Sequence, residues 1–222
     1  MKLDRDGAPF IAASALPAAV AAATGHRRAA LALLAAPLAV GAFFRDPDRD
    51  PDLGIIADPD LVLAPADGKV MHVGTPQVGV APPGEWQQIS IFLSLADVHI
   101  NRTPAAGRVV AVGHRPGRYL AAFRAESAQE NERSEIAVEF ESRGQLRTVV
   151  FRQIVGVAAR RVVTRIGVGD ELVAGQRIGL MRFGSRMDVF VPPSVQLEVE
   201  VGDKTVAGES VIARWPASGA RP

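Results

Sequence analysis

The chain has 222 residues, 48% of them hydrophobic and 22% charged, which fits one folded domain with an appendage rather than two full domains. Twenty-five Lys and Arg against 24 Asp and Glu leave a net charge of +1, so bulk charge argues against a nucleic-acid partner. Cysteine is absent, which excludes disulfides and thiolate nucleophiles, and His26, His72, His99 and His114 show no ligand spacing, so no metal site is expected.

Gly7 to Gly25 is uncharged and rich in Ala. His26-Arg27-Arg28 follows, and Ala29 to Phe44 is uncharged again. As helices these runs reach roughly 28 Å and 24 Å, close to the ~30 Å thickness of a bilayer's hydrocarbon core. Residues 1–45 are therefore read as a membrane-associating helical hairpin, with Pro17 and Pro37 bending its limbs. Asp4 and Asp6 spoil the basic start of a signal peptide; two buried core helices are the other reading. The paired arginines at the tip favour shallow insertion from the cytoplasmic face over a full crossing. Arg45-Asp-Pro-Asp-Arg-Asp-Pro51 cannot prolong an apolar helix, so a second domain is expected over 46–222.

From Asp60 onward, short runs rich in Val and Ile alternate with Gly every eight to twelve residues or so, as in a strand-rich domain. Ser134-Glu-Ile-Ala-Val-Glu-Phe140 carries Ile136, Val138 and Phe140 at period two. A helical period is hinted at only around Arg118 to Asn131. The predicted class is mainly β (α+β). Two echoes refine it. Val168-Gly-Asp-Glu-Leu-Val-Ala-Gly175 returns as Val201-Gly-Asp-Lys-Thr-Val-Ala-Gly208, and Gly68-Lys-Val-Met-His-Val-Gly74 is loosely matched by Gly107-Arg-Val-Val-Ala-Val-Gly113. Paired units of this kind suggest the two halves of a barrel-sandwich, the architecture of biotinyl and lipoyl carriers.

Gly184-Ser185 alone reads as a tight turn. Here it lies between two apolar strands, where a carrier domain holds its modified lysine, and no lysine is present. The surrounding segment, Gly179-Leu-Met-Arg-Phe-Gly-Ser-Arg-Met-Asp-Val-Phe-Val-Pro192, resembles the processing site of phosphatidylserine decarboxylases of the short bacterial and archaeal type. Phe43-Phe-Arg-Asp-Pro-Asp-Arg49 resembles that family's F-F-R-D-P segment, and Ala64-Pro-Ala-Asp-Gly-Lys-Val70 its S-P-x-D-G motif. Ile91-Phe-Leu-Ser-Leu-Ala-Asp-Val-His-Ile-Asn-Arg-Thr-Pro104 resembles its histidine segment. Arg115-Pro-Gly-Arg-Tyr119, Glu130-Asn-Glu-Arg133 and Gln153-Ile-Val-Gly156 also correspond, in family order.

The resemblance implies a proenzyme that cuts itself between Gly184 and Ser185 into a β chain, 1–184, and an α chain, 185–222, which stay associated. Ser185 would become a covalent pyruvoyl group, the only cofactor implied. Phosphatidylserine in the membrane would form a Schiff base with it and lose carbon dioxide to give phosphatidylethanolamine. The enzyme would lie at the cell membrane with its catalytic domain on the cytoplasmic side, as a homo-oligomer. By the same resemblance Asp67 assists self-processing and His99 is the acid/base. The family's longer members carry a second histidine where Arg102 stands here, so His99 takes both tasks or His114 contributes. Arg102, His114, Arg115 and Arg118 are the candidates for holding the substrate's phosphate or carboxylate. Two other functions fit parts of the sequence: a non-enzymatic carrier or adaptor on a membrane hairpin, and a pyruvoyl decarboxylase acting on a soluble amino acid.

Overall fold

The computed structural model describes residues 2–49, 53–157, 161–182 and 185–216. The chain divides into two units, Met1–Asp48 and Arg49–Pro222.

In the first unit, β1 (Lys2–Leu3) pairs antiparallel with β2 (Arg45–Asp46), clasping the ends of a helical hairpin. Between them run a 3-10 turn at Arg5–Gly7, α1 (Ala8–Ala23), α2 (Arg27–Leu33) and α3 (Ala35–Phe43). Alanine-rich sequence favours these helices, and α1 ends where Gly25 takes φ +81°, the left-handed conformation that suits glycine after a helix. The first limb is one helix despite Pro17. The second breaks at Leu34 rather than bending at Pro37. That proline falls in the first turn of α3, where an N–H has no intrahelical partner to lose. The base of the hairpin is close-packed. A side chain at Gly7 would lie 2.5 Å from Phe44 Cγ, and the Phe44 ring stacks on Phe10 at 5.5 Å. Leu16, Leu31 and Leu38 stay exposed, and Arg5–Ala23, 19 residues with about a tenth buried, is long and apolar enough to cross a membrane.

The second unit begins with α4 (Leu53–Ala57) and continues through β3 (Leu61–Leu63), β4 (Gly68–Gly74), β5 (Gln87–Leu93), β6 (Ile100–Arg102) and β7 (Gly107–Arg115). After α5 (Ser127–Glu130) come β8 (Arg133–Ser142), β9 (Gln145–Val155), β10 (Val162–Thr164), β11 (Glu171–Leu172) and β12 (Arg177–Met181). The chain closes with β13 (Ser185–Val191), β14 (Gln196–Leu197), β15 (Lys204–Thr205) and β16 (Val211–Arg214). Eight strands form a curled antiparallel sheet in the order β11-β7-β8-β9-β13-β5-β4-β15, and two three-stranded sheets accompany it, β10-β12-β6 and β14-β16-β3. The mainly β expectation holds. Of the helical hint at 118–131, only α5 is helical. The remainder is held irregular by Asn131, whose side chain bonds both the N–H and the C=O of Leu120.

Alternation sets the faces. Ile136, Val138, Val149, Phe151, Met187 and Val189 point into the main core, whereas Val150, Ile154 and Phe190 join Val80 and Ala128 on the other side. β13, near the middle of the sheet, is buried along its whole length.

The echoes prove to be structural. β4 with β15 and β7 with β11 form matching antiparallel pairs, Gly68 opposite Thr205 and Gly107 opposite Leu172. Backbone bonds repeat as well: Gly208 N to Ala64 O at 2.8 Å and Gly175 N to Thr103 O at 3.0 Å, Val70 N to Asp203 O at 2.8 Å and Val109 N to Asp170 O at 2.9 Å. The copies also bond each other, Leu63 N to Pro104 O and Arg102 N to Pro65 O. Pro65-Ala-Asp-Gly68 thus corresponds to Pro104-Ala-Ala-Gly107, and the acid at 67 belongs to one copy alone.

Asp60 anchors this unit. Its carboxylate accepts bonds from Ser142 Oγ at 2.8 Å and from Arg147, and pairs with Arg143. Burial alone would push the carboxyl up, but Ser142, Arg147 and Arg143 outweigh it and hold it below the ordinary value.

Candidate active site

Ser185 opens β13, opposite Leu93 of β5 and Val155 of β9. The two-residue period turns it to the same face as Met187, towards the main core. Its side chain is fully buried, and its Oγ has no hydrogen-bond partner among the described residues. Such a hydroxyl costs about 1–3 kcal/mol and calls for a reason beyond packing. Gly184, the other half of the expected cleavage site, lies outside the described residues.

His99 precedes β6 and is 2% exposed. Its carbonyl accepts from Met181 N at 3.3 Å, so its backbone lies beside the end of the strand that leads to Ser185. Its Nδ1 is 3.0 Å from the Asp97 carbonyl oxygen. A carbonyl only accepts, so Nδ1 carries the proton in the neutral ring and Nε2 has the lone pair a base needs. The Asp97 side chain fixes this loop by accepting from Ser94 N at 2.7 Å and Ser94 Oγ at 2.6 Å.

A chain of amides and hydroxyls stands on the Ser185 face, and the sequence reading gave it no role. Gln153 pairs with Met187, one step diagonal to Ser185. Its Nε2 donates to Asn101 Oδ1 at 2.8 Å, and its Oε1 accepts from Thr164 Oγ1 at 2.8 Å. Asn101 and Gln153 are wholly buried, and Asn101 Nδ2 has no partner among the described residues. A visible signal existed: Gln153 interrupts an apolar strand on its core-facing side.

Asp67 sits in the turn before β4. Lys69 and Arg186 flank Phe92 from opposite sides, so β4 and β13 begin near the same end of the sheet, about 10 Å apart. Its carboxylate accepts from Arg49 Nη2 at 2.9 and 2.7 Å and from Ala207 N at 2.8 Å. Arg49, from the segment resembling F-F-R-D-P, is thus its charged partner.

The other candidates are spread out. Arg102 is buried and donates to Gly175 O at 2.8 Å. His114 lies 3.8 Å from Glu132 and three strands from β13, about 14 Å of sheet. Arg118 pairs with Glu130 at 2.7 Å on the surface. Arg115 and Arg133 stand directly opposite one another on neighbouring strands. Among the described residues no three His, Asp or Glu side chains gather as a metal site requires.

A family model described as phosphatidylserine decarboxylase matches residues 38–213. The chain belongs to the phosphatidylserine decarboxylase family. Three relatives, each named phosphatidylserine decarboxylase proenzyme, agree with this. The protein of Pelobacter propionicus is 47% identical over 173 residues, covering 78% of this chain and 74% of its own. That of Mycobacterium tuberculosis is 41% identical, covering 93% and 87%, and that of Solibacter usitatus 40% identical, covering 96% and 97%. The carrier-like echo therefore occurs here in a member of an enzyme family.

Proposed function

We propose that the chain is a self-processing proenzyme that cuts its Gly184–Ser185 bond and then decarboxylates phosphatidylserine to phosphatidylethanolamine. The observation that carries this reading is the buried Ser185 hydroxyl at the head of a central strand, without a hydrogen-bond partner among the described residues, in a chain of this family. Ser185 Oγ attacks the Gly184 carbonyl carbon as His99 Nε2 takes the hydroxyl proton, and the peptide C–N bond breaks to leave an ester. Loss of the Ser185 Cα proton to a base expels the Gly184 carboxylate. Hydrolysis then releases ammonia and leaves a ketone at position 185.

Residue 185 fits such a group, being small, enclosed and without a competing hydrogen bond among the described residues. The pyruvoyl carbonyl, held at the head of β13, would supply an electrophile for the substrate amine and a sink for the electrons left when carbon dioxide departs. Asn101 Nδ2, on the amide chain beside Ser185, donates to oxygens that gain charge during processing or turnover. His99 returns the proton after carbon dioxide leaves. The two chains stay together because β13 is hydrogen-bonded along its length to β5 and β9. The helical unit holds the protein at the cytoplasmic surface of the membrane, a reading supported by the exposed Leu16, Leu31 and Leu38.

Wild-type protein and Ser185→Ala, each incubated with phosphatidylserine vesicles and with free serine, test this. Wild type runs as two bands and releases carbon dioxide from the vesicles in preference to free serine. Ser185→Ala stays one inactive chain. Activity surviving that substitution excludes the mechanism, and faster turnover of free serine excludes the lipid substrate.

A further inference from the structure

The face of the eight-stranded sheet turned away from Ser185 gathers positive charge. Arg115 stands opposite Arg133, and Arg133 opposite Ile154, whose side chain joins the second core cluster. Cross-strand partners share a face, so both arginines belong to that side. Like charges placed directly opposite each other are destabilising. Arg152, 8% exposed, is the third guanidinium; it pairs with Glu135 and donates to the Val80 carbonyl.

These groups line a cavity of about 430 Å³ walled on one side by the loop from Gly79 to Pro83, and among the described residues Glu135 is its one acidic lining residue. Arg152 already occupies that carboxylate. Among the described residues Arg133 Nη1 donates to main-chain oxygens, those of Gln129 at 2.5 Å and Asn131 at 3.2 Å, which carry no full charge. Burial, followed by the charges of Arg152 and Arg115, holds the Arg133 guanidinium below its ordinary pKa. Three cations against one acid leave two positive charges around a cavity with an open, exposed rim at Arg115.

We propose that this cavity binds a phosphoryl oxyanion, carried by a soluble phosphate ester or by the headgroup of an anionic phospholipid. Guanidinium forks match such oxygens; a phosphomonoester dianion neutralises both uncompensated charges, and a phosphodiester headgroup neutralises one. The cavity is larger than bare phosphate requires, leaving room for a glycerol-sized ester. The site stands apart from the chemistry at Ser185, so uncut Ser185→Ala protein should bind as wild type does.

Calorimetric titration of the full chain with inorganic phosphate and glycerol 3-phosphate, at ionic strength fixed with chloride, tests the proposal. Saturable binding is expected, weakened about tenfold or more in Arg133→Gln and Arg115→Ala. Arg115 is exposed and faces a like charge, so its variant keeps a Tm no lower than wild type and guards against loss by misfolding. Sedimentation with phosphatidylglycerol–phosphatidylcholine vesicles separates the two sources. A headgroup site gives vesicle binding that falls in both variants and is displaced by glycerol 3-phosphate. A site for soluble esters leaves vesicle binding unchanged while the titration still loses affinity. No saturable binding in wild type, or undiminished binding in both variants, overturns the proposal.

Discussion

At the scale of single residues, His99 is held by the Asp97 carbonyl in a tautomer fit to accept a proton at Nε2. His99→Ala should therefore slow self-cleavage or turnover by on the order of 10²–10⁴-fold. Gel time courses and carbon dioxide release measure the two steps, and near-normal rates in both would remove His99 from the chemistry. Asp67 offers a different test, because its described partners are Arg49 and the Ala207 N–H. Both side chains of that ion pair are 15% exposed, so breaking it leaves a mostly buried charge. Asp67→Asn should lower stability in urea by about 1–3 kcal/mol. Arg49→Met should do likewise, and the double variant should fall short of the sum. Additive losses would show that the pair does not act as a unit.

Among elements, the path from β12 to β13 matters most, because it delivers Ser185. Gly179 in β12 has φ +154°, and a Cβ there would lie 1.8 Å from the Val163 carbonyl oxygen. Gly179→Ala must push β10 away and should cost about 1–3 kcal/mol or more in urea unfolding. A wild-type midpoint would mean that β10 yields freely. Much of this level was legible in the sequence. The repeated Val-Gly-Asp segments foretold two matching halves, seen as the pairs β7–β11 and β4–β15, and period two foretold the faces of β8. The partners of the site residues were not legible. Arg49 meets Asp67 across 18 residues, Ala207 meets it across 140, and Gln153 meets Asn101 across 52. Only closure of the sheet brings such pairs together, and no local pattern encodes them. Pro37 was misjudged for a simpler reason: in the first turn of a helix, proline is compatible with helical geometry.

For the whole molecule, two copies of one β unit enclose a core to which Asp67 contributes asymmetry, since Ala106 holds the matching position. Asp60 anchors that unit. Its carboxyl is held below the ordinary 3.8, so its contribution is complete above that value and is lost as pH falls through the lower folded value. Wild type should lose stability below about pH 4 more steeply than Asp60→Asn, which lacks the contribution already at neutral pH. Parallel urea midpoints for the two proteins across that range would dismiss the role. The helical unit has its own test: Leu31→Glu with Leu38→Glu should cut co-sedimentation with vesicles severalfold, and unchanged binding would place membrane contact elsewhere.

The proposed chemistry depends on what stands at the head of the fragment that begins at residue 185. Intact mass spectrometry of active, purified protein, before and after borohydride, reads it directly. The expected small chain spans 185–222, carries a pyruvoyl group in place of serine, and gains the mass of two hydrogens on reduction. A fully active preparation whose small chain begins with unmodified serine, or which remains a single uncut chain, contradicts the account.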